Sequence, residues 1–343
     1  MERIESFAAD ERAARVLLTI ASEPGDRMTG RLLGTVGAVE AVRLAGTVTP
    51  FAGEHQAAGE VWRDRLAPRL NVESAQRALA ETERLGAEFL IPGDPGWPAG
   101  VGDLGDRGPI GLWALGGDAS LLTAPPARNV TVVGSRAASR YGTEATEVIA
   151  QGLAEDGYRI VSGGSYGIDI TAHRIAASAR GGATLIVLPS GLDRIYPVGN
   201  EELIRRAAQS GLMVSELPPG TPPTKWRLEQ RGRLLASLSG TTIVVEAGPR
   251  SGALGVARAA FGLGRAVGAV PGSVLTASSA GPHLLLREGI AQLVTSEWDV
   301  EQLAQDWATG IERDRRLAAT EEIDTAIQGR APGSRRLSAI QGR

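Results

Sequence analysis

Between residues 130 and 270, short apolar runs rich in β-branched residues alternate with longer amphipathic segments. Thr131, Val132 and Val133 stop at Gly134. Apolar positions then recur at three- and four-residue spacing (Ala145, Val148, Ile149, Leu153), and Gly157 precedes a second short run, Arg159 to Val161, that ends in Ser162, Gly163 and Gly164. A run that is apolar throughout suits a strand covered on both faces, and the wider period suits a helix with one buried face, so the stretch predicts a βαβ unit. The alternation continues: helix 170–179, strand 184–188, helix 201–208 capped by Asn200, strand 212–215, helix 226–237, strand 241–245, helix 254–263 and strand 265–270. Such alternation predicts an α/β fold with a doubly wound, mostly parallel sheet. Small-residue turns at the carboxyl ends of its strands are where such sheets bind ligands, and free backbone N–H groups there favour anions.

The flanks read differently. Residues 1–80 carry helical periodicity (Ala13, Val16, Leu17 and Ile20 on one face) and predict a small helical N-terminal domain. Within it, Leu33-Gly34-Thr35-Val36-Gly37 suits either a helix-hairpin-helix turn able to hold a phosphate or two packed helices joined at a glycine. Residues 81–129 are rich in Pro and Gly and read as an extended connector lying on the next domain, with Trp97 and Trp113 as packing anchors. Residues 130–305 hold the sheet, and 306–343 read as a helical or mobile C-terminal tail.

A chain of 343 residues suits about two domains. With no cysteine there is no disulfide and no thiolate metal site. The acidic N-terminus lacks an apolar signal region and no stretch is long enough to span a bilayer, so a cytoplasmic protein without membrane contact is expected. The formal net charge is −3, so any nucleic-acid site must be a local patch.

Several chemistries are absent from the pattern. There is no GxxxxGK[ST] phosphate loop, the glycines after 134 and 163 do not make a dinucleotide fingerprint, and His55, His173 and His283 are too scattered for a helical metal pair. No cofactor and no metal is expected. Asp169 could be a base, but at a helix start it more simply stabilises free N–H groups; His173 reads as a structural histidine, and Glu246, ending a strand, as a buried hydrogen-bonding carboxylate. What stands out is cations beside loop glycines: Arg136 and Arg140 after the first strand, Arg174 on the second helix, Arg194 in a loop, and Lys225, Arg227, Arg231 and Arg233 within nine residues. The cluster is either a solvated helix face or a nucleic-acid groove, and its place after a strand end, with Trp226 and Tyr196 available for stacking, favours the groove.

At these residues the chain resembles the DNA-processing protein A family (DprA, also called Smf). VGSR at Val133 to Arg136, SGG-x-x-GID at Ser162 to Asp169, Ala172-His173, SGLDRIYP at Ser190 to Pro197, SELPPGTPP at Ser215 to Pro223, RGRLLASLS at Arg231 to Ser239, VVEAG at Val244 to Gly248, SGAL at Ser251 to Leu254 and VPGS at Val270 to Ser273 all look like the family pattern. The resemblance runs from about Ile91 to Leu303 and implies a Rossmann-like protein, not an enzyme. It implies a homodimer that binds single-stranded DNA and loads the RecA recombinase during natural transformation. The resemblance implies a positive pocket at Arg136, Gly163, Gly164, Arg231 and Arg233; together with the cations read above, the candidate DNA-binding residues are Ser135, Arg136, Arg140, Gly163, Gly164, Arg194, Lys225, Arg227, Arg231 and Arg233, with Asp169, His173, Glu246, Ser251 and Gly252 as structural or pocket residues. Arg136 and Arg233 are expected at the mouth of the sheet, outside its core. The apolar segments Leu254 to Val270 and Leu284 to Val294 are the candidates for a self-complementary edge.

Two positions depart from the family pattern. Arg231-Gly232-Arg233 stands where Arg-Asn-Arg is usual, and Gly281-Pro282-His283 where Gly-Thr-Asn is usual; the winged helix of many members is not expected in the short tail. The alternative is a nucleotide or N-glycoside hydrolase similar to the cytokinin-activating phosphoribohydrolases, but no PGGxGT precedes Glu246.

Overall fold

The computed structural model describes residues 2–47, 51, 56–180 and 182–310. Five helices come first: α1 (Glu2–Phe7), α2 (Glu11–Ala21), α3 (Arg27–Gly46), α4 (Gln56–Leu66) and α5 (Val72–Leu85). Strands β1 (Glu88–Leu90) and β2 (Leu112–Gly116) and the short α6 (Ser120–Thr123) follow. The alternating part comprises β3 (Asn129–Val133), α7 (Arg140–Glu155), β4 (Arg159–Ser162), α8 (Ile168–Ser178), β5 (Ala183–Val187), α9 (Glu201–Ser210), β6 (Leu212–Ser215), α10 (Lys225–Ser237), β7 (Thr241–Val244), α11 (Gly252–Gly262), β8 (Ala266–Ala269), α12 (Ala280–Arg287) and β9 (Gln292–Leu293). A last helix covers 297–310.

The nine strands among the described residues join one sheet in the order β1-β2-β6-β5-β4-β3-β7-β8-β9, parallel except at the β1–β2 and β2–β6 pairings. This is a Rossmann-like α/β fold. Pleating sends alternate residues to opposite faces. Val133, Val161, Leu185 and Val244 pack with α10 and α11, whereas Val132, Ile160 and Ile243 pack with α7, α8 and the last helix.

Two expectations change. The Pro- and Gly-rich stretch expected as a connector supplies β1 and β2, because Trp113 and Ala114 pair with Ser215 and Val214 and extend the sheet beyond β6. Asn200 precedes α9 without capping it; its side-chain amide donates to the Gly164 carbonyl at 2.9 Å instead.

The helical module shares a core with that sheet edge. Leu17, Leu18 and Trp62 belong to the same apolar cluster as Phe89, Trp113 and Ile204. Buried polar groups are paired across the junction. The Trp113 indole N–H donates to Thr82 Oγ1 at 3.0 Å, Arg15 donates to the Ile110 carbonyl at 2.6 Å, and Arg12 donates to the Phe89 carbonyl. α3 breaks at Gly37, where φ is +79°. The amide that follows, Ala38 N–H, donates to Glu11 Oε2 at 2.9 Å, so a carboxylate already occupies the donor a hairpin turn would offer to phosphate. This is the packed-helix alternative for residues 33–37.

At the other end the Trp307 indole N–H donates to the Gly264 carbonyl at 2.7 Å. The remainder of the expected tail, 311–343, lies outside the described residues. No helix among the described residues is long and apolar enough to cross a membrane.

Two glycines of α3 separate docking from helix propensity. A methyl on Gly30 would sit 2.0 Å from the Asp106 carbonyl oxygen, whereas one on Gly34 meets nothing within 4 Å. Gly34→Ala is therefore expected to raise stability by about 1 kcal/mol, the ordinary helix gain. Gly30→Ala is expected to lower it by about 1–3 kcal/mol through overpacking against backbone. Urea titrations of the two variants check the opposite signs.

Candidate nucleic-acid interface

Strand β3 is flanked by β4 on one side and β7 on the other, so the chain's crossovers leave it in opposite directions. Loops at such a switch point splay and open a crevice at the carboxyl ends of the strands. Gly134 ends β3 where a side chain would collide with the Glu246 carbonyl oxygen (2.8 Å) and Ile168 (2.5 Å). Gly167 takes φ +74° below Ser135, whose carbonyl accepts from Ile168 N–H at 3.2 Å. Further along, Glu246 accepts from Ser139 N–H at 2.9 Å, Ser139 O–H at 2.6 Å and Ser278 O–H at 3.1 Å. The loop carrying Arg136 is thus tied down on both sides of that residue.

The crevice is a cavity of about 1260 Å³ between this loop, α10 and the start of α11. Among the described residues six cations line it (Arg107, Arg136, Lys225, Arg231, Arg233, Arg250) against two carboxylates, Asp169 and Glu229. Among the described residues, Arg136, Lys225 and Arg250 form no ion pair, and all three are exposed. Burial, and then the charge of Arg233, push the Arg107 guanidinium below its usual range. Crowded cations of this kind are relieved by an anion.

The deeper arginines are committed differently. Arg233, expected at the mouth, is buried: it meets both oxygens of Glu216 and donates from Nε to the Arg107 carbonyl at 2.7 Å. Arg231 is also buried and lies over Gly163, where a methyl would fall 2.5 Å from its guanidinium carbon. Its contacts are long, 3.4 Å to the Val187 carbonyl and 3.9 Å to Asp169, and its Nε has no partner among the described residues. Asp169 does not cap α8; Gly167 holds that position, and the Asp169 carboxylate accepts from Ser165 N–H at 3.4 Å. Burial pushes the Asp169 carboxyl up against the pull of Arg231.

Of the residues singled out in the sequence, Ser135, Arg136, Asp169, Tyr196, Lys225, Arg231, Arg233, Ser251 and Gly252 line the cavity. The others do not. Gly163 lies beneath Arg231 and Gly164 against Ile204. Arg140 bonds Glu144 at 2.7 Å, Arg194 faces Asp193 at 3.9 Å, and Arg227 grips both oxygens of Glu23 at 2.9 and 3.0 Å. Glu246 is a buried tie between loops. His173 is fully buried, and its Nδ1 shares a hydrogen bond with Thr184 Oγ1 at 2.6 Å.

Sequence reasoning missed Arg107 and Arg250. Arg250 follows β7 within three residues of Gly248 and Gly252, so the rule that selected Arg136, a cation beside loop glycines after a strand, would have found it. Arg107 lies in the stretch taken for a connector and carried no such signal.

Residues 88–305 match the family model for DNA recombination-mediator protein A. The chain is 40% identical over 301 residues to a putative DNA processing protein DprA of Mycobacterium tuberculosis, covering 84% of this chain and 74% of that protein. It is 44% identical over 184 residues to the DNA processing protein DprA of Streptococcus pneumoniae, covering 54% of this chain and 63% of that protein. Among solved structures, DNA processing protein A from Streptococcus pneumoniae superposes with a TM-score of 0.67 at 30% identity, over 83% of this chain and 94% of that one. DNA processing protein A from Helicobacter pylori, in a structure concerned with its single-stranded DNA binding mode, superposes with a TM-score of 0.57 at 31% identity, over 64% and 96%.

Arg233→Ala strands the Glu216 carboxylate and is expected to cost about 3–5 kcal/mol of stability. Arg136→Ala, at an exposed position, should stay within about 0.5 kcal/mol of the parent; chemical denaturation distinguishes the two. Burial lowers the His173 pKa to about 4. The unfolded chain therefore takes up this proton first, so the contribution is complete above about pH 6.5 and is lost as pH falls toward 4, up to about 3 kcal/mol. His173→Asn should flatten that part of the stability-versus-pH curve.

Proposed function

Because the chain belongs to the DNA recombination-mediator protein A family, we propose that it binds single-stranded DNA across the switch-point cavity and loads the RecA recombinase onto incoming strands in natural transformation. The observation that carries the reading is the set of exposed cations, Arg136, Lys225 and Arg250, that have no carboxylate partner among the described residues, around a cavity that also holds Arg107. Phosphates neutralise such a set, and little in it reads base edges, so binding is tolerant of sequence. Trp226, 52% exposed beside Lys225, offers a face on which a base can stack.

The protein acts in the cytoplasm as a homodimer without catalysing a reaction of its own. The hydrolase alternative gains nothing from Glu246, both of whose oxygens already accept hydrogen bonds from Ser139 and Ser278. Incubation with nucleoside monophosphates should release no base.

Fluorescence anisotropy with oligo(dT) tests the reading. Four phosphate contacts give a log-log salt slope of roughly −3 and a loss of roughly fiftyfold between 50 and 200 mM salt. Arg136→Ala and Arg250→Ala should each cost on the order of 1 kcal/mol in affinity and reduce the slope by roughly 0.7. Equal affinity for a duplex of the same sequence, or a slope near zero, would overturn the assignment. A RecA filament lag unchanged by the protein would remove the loading role while leaving the DNA site.

A further inference from the structure

The crevice continues into a second surface. α7 begins four residues beyond Arg136, and its first turn carries Arg140, with a side chain 90% exposed, and Tyr141, which is 48% exposed. The Tyr141 hydroxyl donates to the Pro271 carbonyl at 2.6 Å, and Gly272 lies beside the ring. The ring is therefore held in place while part of it stays open to solvent. At the tip of the same loop, Val274 and Leu275 are 85% and 94% exposed.

This loop is built, not slack. Leu275 N–H donates to Ser273 Oγ at 3.2 Å, and Thr276 donates to the Ser273 carbonyl from N–H at 3.1 Å and from Oγ1 at 3.0 Å. It is also fastened to the cavity wall: Ala247 N–H donates to the Ser278 carbonyl at 2.7 Å and Gly281 N–H to the Ala247 carbonyl at 2.8 Å, directly before the lining segment 248–253. Cavity and loop form one hydrogen-bonded rim along the carboxyl ends of β3, β7 and β8. Two large apolar side chains at the exposed tip of a loop whose base anchors an aromatic ring mark a contact surface.

We propose that a single strand leaving the cavity continues over this rim, with its bases against Tyr141, Val274 and Leu275 and its backbone beside Arg140. The proposal rests on the reading of the cavity as a single-strand site. Continuity with the lined crevice and the charge of Arg140 favour a strand over an apolar protein partner. Among the described residues Arg140 is held by Glu144 alone, one turn away, in an exposed surface pair that stabilises little, so a phosphate can take it readily. A ring fixed by its hydroxyl loses little freedom when a base stacks on it.

The test compares oligo(dT) of about 5 and about 20 nucleotides, the first able to fill the cavity alone and the second long enough to cross the rim. The double variant V274D/L275D, altered only at exposed positions, should weaken the longer oligonucleotide about tenfold and leave the shorter one unchanged. With the parent protein, a 5-iodouracil-substituted long oligonucleotide should crosslink under ultraviolet light to Tyr141. Unchanged long-oligonucleotide affinity in the variant, with no crosslink at Tyr141, overturns the rim alone. Equal weakening of both lengths overturns it too, because the effect would then not belong to an extension of the path. If the parent binds neither length, the cavity reading falls and the rim with it. If the variant keeps all DNA binding but loses association with RecA, the surface belongs to a protein partner and the proposal fails.

Discussion

Glu246 leaves the carboxyl end of β7 only 2% exposed, and its two oxygens take donors from Ser139, on the loop after β3, and Ser278, on the loop after β8. A buried carboxylate is costly unless its lone pairs are satisfied, and here three donors from two different loops satisfy it. The consequence is geometric. Loops that would otherwise splay independently at the switch point share one anchor, and Gly142 packs against it so closely that a methyl there would lie 2.3 Å from Glu246 Oε2. The position of Arg136, the start of α7 and the loop bearing Val274 and Leu275 all follow from that anchor.

Charge is distributed in a way that net charge conceals. Many arginines at the surface are bound to a carboxylate one helical turn away, as Arg84 is to Glu81, Arg205 to Glu201 and Arg206 to Glu202, pairs that stabilise little but neutralise the surface locally. Around the cavity the balance reverses. Among the described residues, Arg233 is neutralised by Glu216, Arg227 by Glu23 and Arg231 at long range by Asp169, whereas the outer cations Arg136, Lys225 and Arg250 form no ion pair. The inner pairs shape the wall and the outer charges face the opening. The helical module takes part in the wall, since Gly25 packs on Gln230 and Arg233 and Glu23 holds Arg227. A protein of net charge −3 can in this way present a positive field over one crevice.

The two departures from the family pattern have different local meanings. Gly232 lines the cavity, and a side chain there would meet Val256 at 3.3 Å, so its absence widens the crevice between α10 and α11. Gly281, which keeps the pattern, is required by packing, because a methyl would come within 2.5 Å of the Ala247 carbonyl oxygen, and the departure at the buried Pro282 falls third in α12, in the first turn, where the helix offers an amide no partner.

Element type and order from 130 to 270 were legible in the sequence, because strands covered on both faces read as apolar runs and helices as a three-to-four period, both local properties of the chain. β6 coincides with the run 212–215, and α10 differs by one residue from its expected start. Glycines 134 and 163 were equally legible as turns, since small residues after a strand permit close approach. Tertiary structure alone decided which cations were free. Arg233 and Glu216 are 17 residues apart, Arg227 and Glu23 are 204 apart, and no local pattern announces that they meet. The same reason hid β1 and β2: a stretch broken by Pro and Gly becomes strand only because the open edge of β6 supplies hydrogen-bond partners, and that edge exists only once the sheet has formed.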